Sequence, residues 1–190
     1  MALDDHELIL EACKGNMQAF EDLIFRYDEQ VLSMAMSFAG NVDDSKDIYQ
    51  EVFIRVYKSL PKFQFKSQFS TWFYRIVTNV CLTYHARKKG KSFIPIDDEK
   101  TDENEDEMSA ILISDLETDH LTINNEIMAQ IQLAMKSLSP QQKIVFSLRH
   151  YEGFKLREIA QMMACAEGTV KKYLFSATER IRGQLSTVYP

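Results

Sequence analysis

Apolar residues recur every three or four positions through most of the 190-residue chain, the spacing of one buried helix face. A first short helix ends at Gly15-Asn16. The stripe Phe20, Leu23, Ile24, Tyr27, Val31, Met34, Ala35 and Phe38 predicts a second helix that runs to Gly40-Asn41. Asp43 or Asp44 is expected to cap a third, with Asp47 near its positive end. The inner face of that helix is Ile48, Val52, Phe53, Val56, Tyr57 and Leu60. Pro61 ends it, because the residue before a proline is pushed out of helical geometry. After the loop 61–68 comes a fourth helix, from about Ser70 to Lys88, and the four are expected to form one bundle.

A second helical block begins at about Asn124, with Ile127, Ile131, Ala134, Met135 and Leu138 on one face. Ser139-Pro140-Gln141-Gln142 is a strong helix start: serine caps, proline suits the first turn, and Gln142 sits at the return position of a capping box. Two further helices are expected over residues 156–163 and 168–186. No alternating strand pattern is present, so the fold class is all-α. Two small helical domains, 1–91 and 124–190, are expected on either side of an acidic, flexible linker, 92–123.

Charge adds what the periodicity cannot. The chain carries 28 acids and 22 bases, a net −6, yet the two signs are sorted. Residues 1–51 hold 12 acids and 3 bases, residues 52–96 hold nine bases and no acid, and residues 97–119 hold 11 acids and one base. Residues 136–190 return to nine bases against four acids. A 45-residue acid-free stretch in an acidic chain points to a polyanionic partner. No apolar run is long enough to span a membrane and the acidic start has no signal-peptide core, so a cytoplasmic protein without membrane insertion is expected.

The chemistry-bearing residues exclude more than they suggest. Cys13, Cys81 and Cys165 are far apart, and His6, His85, His120 and His150 are scattered. Cys81 and His85 share a helix face, but two ligands do not make a zinc site. Neither a phosphate loop nor a nucleophile elbow is present, so no catalytic residue, metal or cofactor is expected. By contrast, residues 156–174 read as a helix-turn-helix. Leu156, Ile159, Ala160 and Met163 pack the first helix, and Val170 and Leu174 anchor the second. Thr169, Lys171, Lys172, Tyr173, Phe175 and Ser176 are left for its outward and flanking faces, where a major-groove helix makes its contacts. An ordinary αα-corner is the alternative.

With these segments, the chain resembles the extracytoplasmic-function sigma factors of the primary-sigma superfamily. The resemblance rests on Gly15-Asn16, Ala19-Phe20, Arg26-Tyr27, Gln50-Glu51-Val52-Phe53-Ile54-Arg55-Val56-Tyr57, Phe69-Ser70-Thr71-Trp72-Phe73-Tyr74-Arg75-Ile76 and Asn79. In the second half it rests on Leu138-Ser139-Pro140, Arg149, Glu158-Ile159-Ala160 and Glu167-Gly168-Thr169-Val170-Lys171. It covers about residues 7–91 and 124–186.

The resemblance implies a subunit that binds core RNA polymerase and directs promoter-specific initiation. Gln50 and Glu51, with Asp44 and Asp47, would dock on the β′ clamp helices, and the second domain would work beside the β flap. Lys62, Phe63, Phe65, Lys66, Trp72, Arg75 and Asn79 would meet the −10 element, where aromatic faces stack bases and cations hold phosphates. Asn79 matches the family position that lines a flipped-base pocket, and Trp72, at helical spacing with Phe73, Ile76 and Val77, reads mainly as a packing residue. Arg87, Lys88 and Lys89 would contact phosphates, which position without specifying. Arg149, Thr169, Lys171, Lys172, Tyr173, Phe175 and Ser176 would serve the −35 element. Promoter DNA is thus the second partner, and an anti-sigma factor, which restrains many relatives, is a third.

Two departures from the family pattern concern the second domain. Ala164 and Ala166 stand in the turn where relatives commonly carry glycine and serine, so the recognition helix lacks a side-chain cap. Arginines that relatives carry near Tyr173, Ser176 and Thr178 are absent, which predicts weak −35 binding by the isolated domain. The acidic linker reads as a solvated tether or as a mimic of RNA in a polymerase channel. The competing function is a stand-alone helix-turn-helix regulator, which leaves the Gln50–Glu51 helix and the acid-free aromatic segment unexplained.

Overall fold

A computed structural model of the chain describes residues 4–90, 131 and 133–186. The proposed linker, Lys91, His120, and the expected restart at Asn124 and Ile127 lie outside the described residues. Every regular element among the described residues is helical. They are α1 (Asp5–Cys13), α2 (Met17–Phe25), α3 (Asp28–Ala39), α4 (Val42–Ser59), a 3-10 turn (Leu60–Lys62), α5 (Phe69–Lys88), α6 (Pro140–His150), α7 (Leu156–Met163) and α8 (Glu167–Leu185). Residues 131 and 133–136 are helical as well. The chain divides into two compact units, the first centred on α1–α5 and the second on α6 and α8.

In the first unit α3 packs on α4 and α4 on α5, while α1 lies on α2 and touches the 3-10 turn. The core is the inner stripe of each helix: Leu8 and Ile9, Leu23, Val31 and Met34, Ile48, Val52 and Val56, then Phe73, Val77 and Cys81. Three expectations are corrected. The single second helix is two, because the chain turns at Arg26-Tyr27. There Tyr27 N–H bonds to Ile24 O at 2.9 Å in a tight turn, and the Tyr27 ring packs on Phe69 and Phe73. The cap of α4 is Asn41, whose Oδ1 accepts from Asp44 N–H at 2.9 Å, in place of Asp43 or Asp44. Tyr57 leaves the inner face. It is 52% exposed and meets Phe20 edge-on at the helix margin.

The second unit follows its sequence signals closely. Ser139 Oγ accepts from Gln142 N–H, and Gln142 Oε1 accepts from Ser139 N–H, which completes the capping box. Helix α8 packs along α6, burying Val170, Leu174, Ala177 and Ile181. Arg180 ties the two together, its Nη1 donating to Gln142 Oε1 at 3.1 Å and to Ser137 O at 3.3 Å. Helix α8 opens on Ala166 with no side-chain cap.

The end of α7 shows the cost of the alanine turn. Cys165 N–H reaches back to Ala160 O at 3.0 Å, the six-to-one bond of a helix-ending motif whose next-to-last residue is left-handed. The same bond at the end of α1, Asn16 N–H to Glu11 O, places Gly15 in that position with φ +93°. At α7 the position is Ala164, with φ +45°. A Cβ there crowds the following carbonyl. Replacing Ala164 with glycine is therefore expected to stabilise the turn between α7 and α8 by about 0.5–1 kcal/mol, read as a rise of a few degrees in the thermal transition of the protein.

Candidate nucleic-acid interface

Helices α4 and α5 pair so that the polar face of each meets the other along a cleft of about 550 Å³. From α4 the cleft receives Asp44, Asp47 and Glu51, and from α5 Thr83, Arg87 and Lys88. The structure thus brings together residues that the sequence assigned to two tasks, polymerase docking and phosphate contact. Lys88 Nζ lies 2.5 Å from Asp44 Oδ2, which also accepts from Asn41 Nδ2 at 2.6 Å. The bond from Lys88, with those from Tyr84 and Asn41, holds the Asp44 carboxyl well below the usual carboxylate range. Asp44 in turn raises Lys88. Glu51 pairs with Arg55 one turn on, at 2.6 Å.

Gln50 and Asp47 are exposed and Glu51 is half-exposed. Ile54 continues this row at helical spacing and is 47% exposed, an apolar side chain in water between charged neighbours. Residue-by-residue reading passed over Ile54. Its signal was available, because it falls off the buried stripe of Ile48, Val52 and Val56.

Below the cleft an aromatic chain links the core to the surface. Phe73, fully buried, touches Phe69, and Phe69 touches Trp72 and Phe63 at ring-centroid distances of 5.5 and 5.7 Å. Phe63 stacks on Trp72 at 5.1 Å and on Phe65 at 4.8 Å. Trp72 is half-buried, so its ring supports the loop and still offers an edge. Phe65 is exposed and left-handed, with φ +56°, a conformation that costs a non-glycine residue about 1–2 kcal/mol. Its ring also lies 4.7 Å from His6 of α1, a residue that sequence reading left unassigned. Lys62 and Lys66 flank the loop, exposed.

On α5, Trp72, Arg75 and Asn79 follow at i, i+3 and i+7 on one half-buried face. Asn79 Oδ1 is buried and accepts no hydrogen bond, as are the hydroxyls of Thr78 and Thr83. Unsatisfied buried acceptors are costly, so α5 carries polar groups whose desolvation no hydrogen bond within the unit offsets. Arg87, Lys88 and Lys89 stand exposed at its C-terminal end, favourably placed on the helix dipole.

In the second unit, Lys171, Lys172 and Phe175 of α8 are exposed, and Thr169, Tyr173 and Ser176 are half-buried. Lys171 pairs with Glu167 at 3.2 Å. Arg149 sits apart from this row. It is half-buried and donates from Nη1 to Phe154 O at 3.2 Å, bracing the turn after α6. Among the described residues no group of acids, histidines and cysteines is arranged to hold a metal. Burial pushes the Cys81 thiol up to about 12, so it stays protonated. No described helix is long and apolar enough to cross a membrane.

Comparison with known proteins matches residues 23–91 to Sigma-70 region 2 and residues 128–181 to Sigma-70, region 4. The ECF RNA polymerase sigma-E factor of Escherichia coli is 30% identical over 180 residues, covering 94% of this chain and 93% of the relative. The RNA polymerase sigma-H factor of Pseudomonas aeruginosa is 29% identical over 181 residues (93% and 91%). The ECF RNA polymerase sigma factor SigW of Bacillus subtilis is 29% identical over 177 residues (93% and 94%). Among solved structures, CnrH in complex with the cytosolic domain of CnrY shares the fold at a TM-score of 0.66, with 18% identity, over 96% of this chain and 97% of that one.

A carboxyl whose folded-state pKa is depressed adds stability above its unfolded value and loses it as pH falls through the folded value. The Asp44–Lys88 pair is therefore expected to persist through mildly acidic pH and to open only below the ordinary carboxylate range. Carboxyl carbon chemical shifts check this: Asp44 should titrate below the ordinary carboxylate range.

Proposed function

The chain belongs to the ECF RNA polymerase sigma factors and acts in promoter recognition, and we propose that its two units divide that work as follows. Residues 1–91 dock on core RNA polymerase and capture the −10 strand, 92–123 link, and 124–190 read the −35 element beside the β flap. The docking face is Asp47, Gln50 and Glu51 on α4, with Asp44 at its edge, offered to the β′ clamp helices. Ile54 adds an apolar contact in the same row. Charged and polar groups of this kind set the register of an interface, and a central apolar side chain supplies burial.

The −10 strand is taken by Phe63 and Phe65 through stacking, by Lys62, Lys66 and Arg75 through phosphates, and by Asn79 through a base edge. Trp72 serves mainly to support Phe63. Arg87, Lys88 and Lys89 hold the adjoining backbone. In the second unit Thr169, Lys171, Lys172, Tyr173, Phe175 and Ser176 face the major groove, and Arg149 shapes the turn behind them. An anti-sigma protein is a further partner of this reading. RpoE of Bartonella quintana, a fold neighbour with a TM-score of 0.60 and 19% identity over 88% of this chain and 96% of that one, was solved with the anti-sigma factor NepR.

The observation that carries the reading is the polar, exposed row of α4 on the same unit as an aromatic loop and an asparagine acceptor left without a hydrogen bond. The test is association with core polymerase followed by run-off transcription. Exchanging Gln50 and Glu51 together for alanine is expected to weaken core binding about tenfold or more, roughly 1.4 kcal/mol. Both side chains are at the surface, so helicity and melting should stay near wild type. Unchanged core affinity would overturn the docking assignment.

A second prediction concerns selectivity. Asn79→Ala is expected to reduce discrimination among −10 sequences about tenfold, within the range for one base contact, while affinity for random single strands changes less than about twofold. Competition binding with a randomised −10 library checks it. Equal weakening on every sequence would make Asn79 a structural residue.

A further inference from the structure

Phe65 is the exposed end of the aromatic loop, and it is held in a backbone conformation that its side chain disfavours. Something must hold it there. Two rings touch it: Phe63, from the loop itself, and His6, from α1, at 4.7 Å. Helix α1 lies outside the segment matched to Sigma-70 region 2, which begins at residue 23.

The placement of His6 is fixed on three sides. A capping box between Asp4 and Glu7 sets the first turn of α1, with bonds of 2.8 and 3.1 Å. Asp5, its chain neighbour, pairs with Arg26 at 2.5 Å and accepts from the Tyr27 hydroxyl at 2.7 Å, which ties α1 to the α2–α3 junction. At the far end, Cys13 Sγ meets Leu60 O, the start of the 3-10 turn that leads into the loop. His6 is thus presented to the loop by an element tied at one end to Leu60, where the loop begins, and at the other to Tyr27, whose ring packs on Phe69 just beyond the loop.

We propose that His6 is a positioning residue for the strand-capturing loop: its ring holds Phe65 left-handed, so that Phe63 and Phe65 stay stacked and open to unpaired bases. The inference rests on the sigma-factor reading for its functional consequence, and on geometry alone for the state of the loop. The two are separated by using both a polymerase-free and a polymerase-dependent readout.

Trp72 is the one tryptophan of the chain and touches Phe63, so its quenching by acrylamide in the free full-length protein reports the loop. Promoter opening by the full-length protein with core polymerase, followed by the reactivity of −10 thymines, reports strand capture. His6→Ala is expected to raise Trp72 quenching about 1.5-fold and to lower opening about threefold to tenfold at unchanged core affinity, the range for losing one ring pair. His6→Phe, which keeps a ring, is expected to restore both to within about twofold. In a Phe65→Gly background, His6→Ala should add nothing further.

Unchanged quenching in His6→Ala overturns the proposal. A His6→Phe variant as defective as His6→Ala also overturns it, because the imidazole would then act through its own hydrogen bonds or charge on the strand. A wild-type protein that fails to bind core polymerase overturns the sigma-factor reading instead, while the quenching series still decides whether His6 holds the loop.

Discussion

The first unit depends on the burial of one ring, Phe73. It is fully inaccessible, and Tyr27, Phe53, Phe69 and Tyr74 all contact it. Those four come from the α2–α3 junction, α4 and both sides of α5, so one side chain sets the relative placement of three helices. Emptying such a site costs about 3–5 kcal/mol, a large share of the 5–15 kcal/mol that a domain possesses. The same ring reaches the functional surface, since Phe69 backs both Phe73 and the Phe63–Trp72 pair. The loop 61–68 is therefore the outer end of the core. That continuity lets an eight-residue connection hold a defined shape without secondary structure beyond one 3-10 turn.

The parts of the fold legible in sequence were those set by local signals. The inner stripes of α3 and α4, the Ser139–Gln142 capping box and the uncapped Ala166 all depend on residues within one or two turns. What the sequence concealed was decided across the chain. The stripe from Phe20 to Phe38 continues in register through Arg26-Tyr27, so periodicity alone reads one helix. The break arises because the Tyr27 ring is drawn to Phe69 and Phe73, and its hydroxyl to Asp5. Asp44 looked like a cap because aspartate caps helices, yet its carboxylate is committed to Lys88, 44 residues away. Of the candidate site, the α4 row and the aromatic loop were legible as composition, whereas His6 was not, because a contact between residues 6 and 65 leaves no mark on local spacing.

The charge blocks take on a different meaning once folded. Along the sequence they look like separate surfaces, an acidic one for a protein and a basic one for nucleic acid. In the unit they share a cleft, and Asp44 and Lys88 neutralise each other across it. An exposed pair of this kind adds little stability and weakens with salt, so a partner can exchange it readily. Asp47 on α4 and Arg87 on α5 line the same cleft. Charge sorted into blocks along the sequence therefore does not mean separate surfaces in the fold.

Among the described residues two that are not glycine occupy left-handed backbone, Phe65 and Ala164, and the contrast between them separates a held geometry from an unrelieved cost. Both belong to short connections that lead into a long helix. At Ala164 the side chain is a single exposed methyl, too small to gain in packing what the backbone loses, and the end of α1 uses glycine for the same motif. At Phe65 the side chain is a ring with two aromatic neighbours, each contact worth about 0.5–1.5 kcal/mol. Together these match the backbone penalty, so the strain persists only while His6 and Phe63 stay in place. Glycine at 164 would keep the turn and remove the cost, whereas glycine at 65 would remove the ring that the conformation exists to present. Backbone strain alone therefore does not mark a functional residue; it does so where neighbouring side chains are spent on maintaining it.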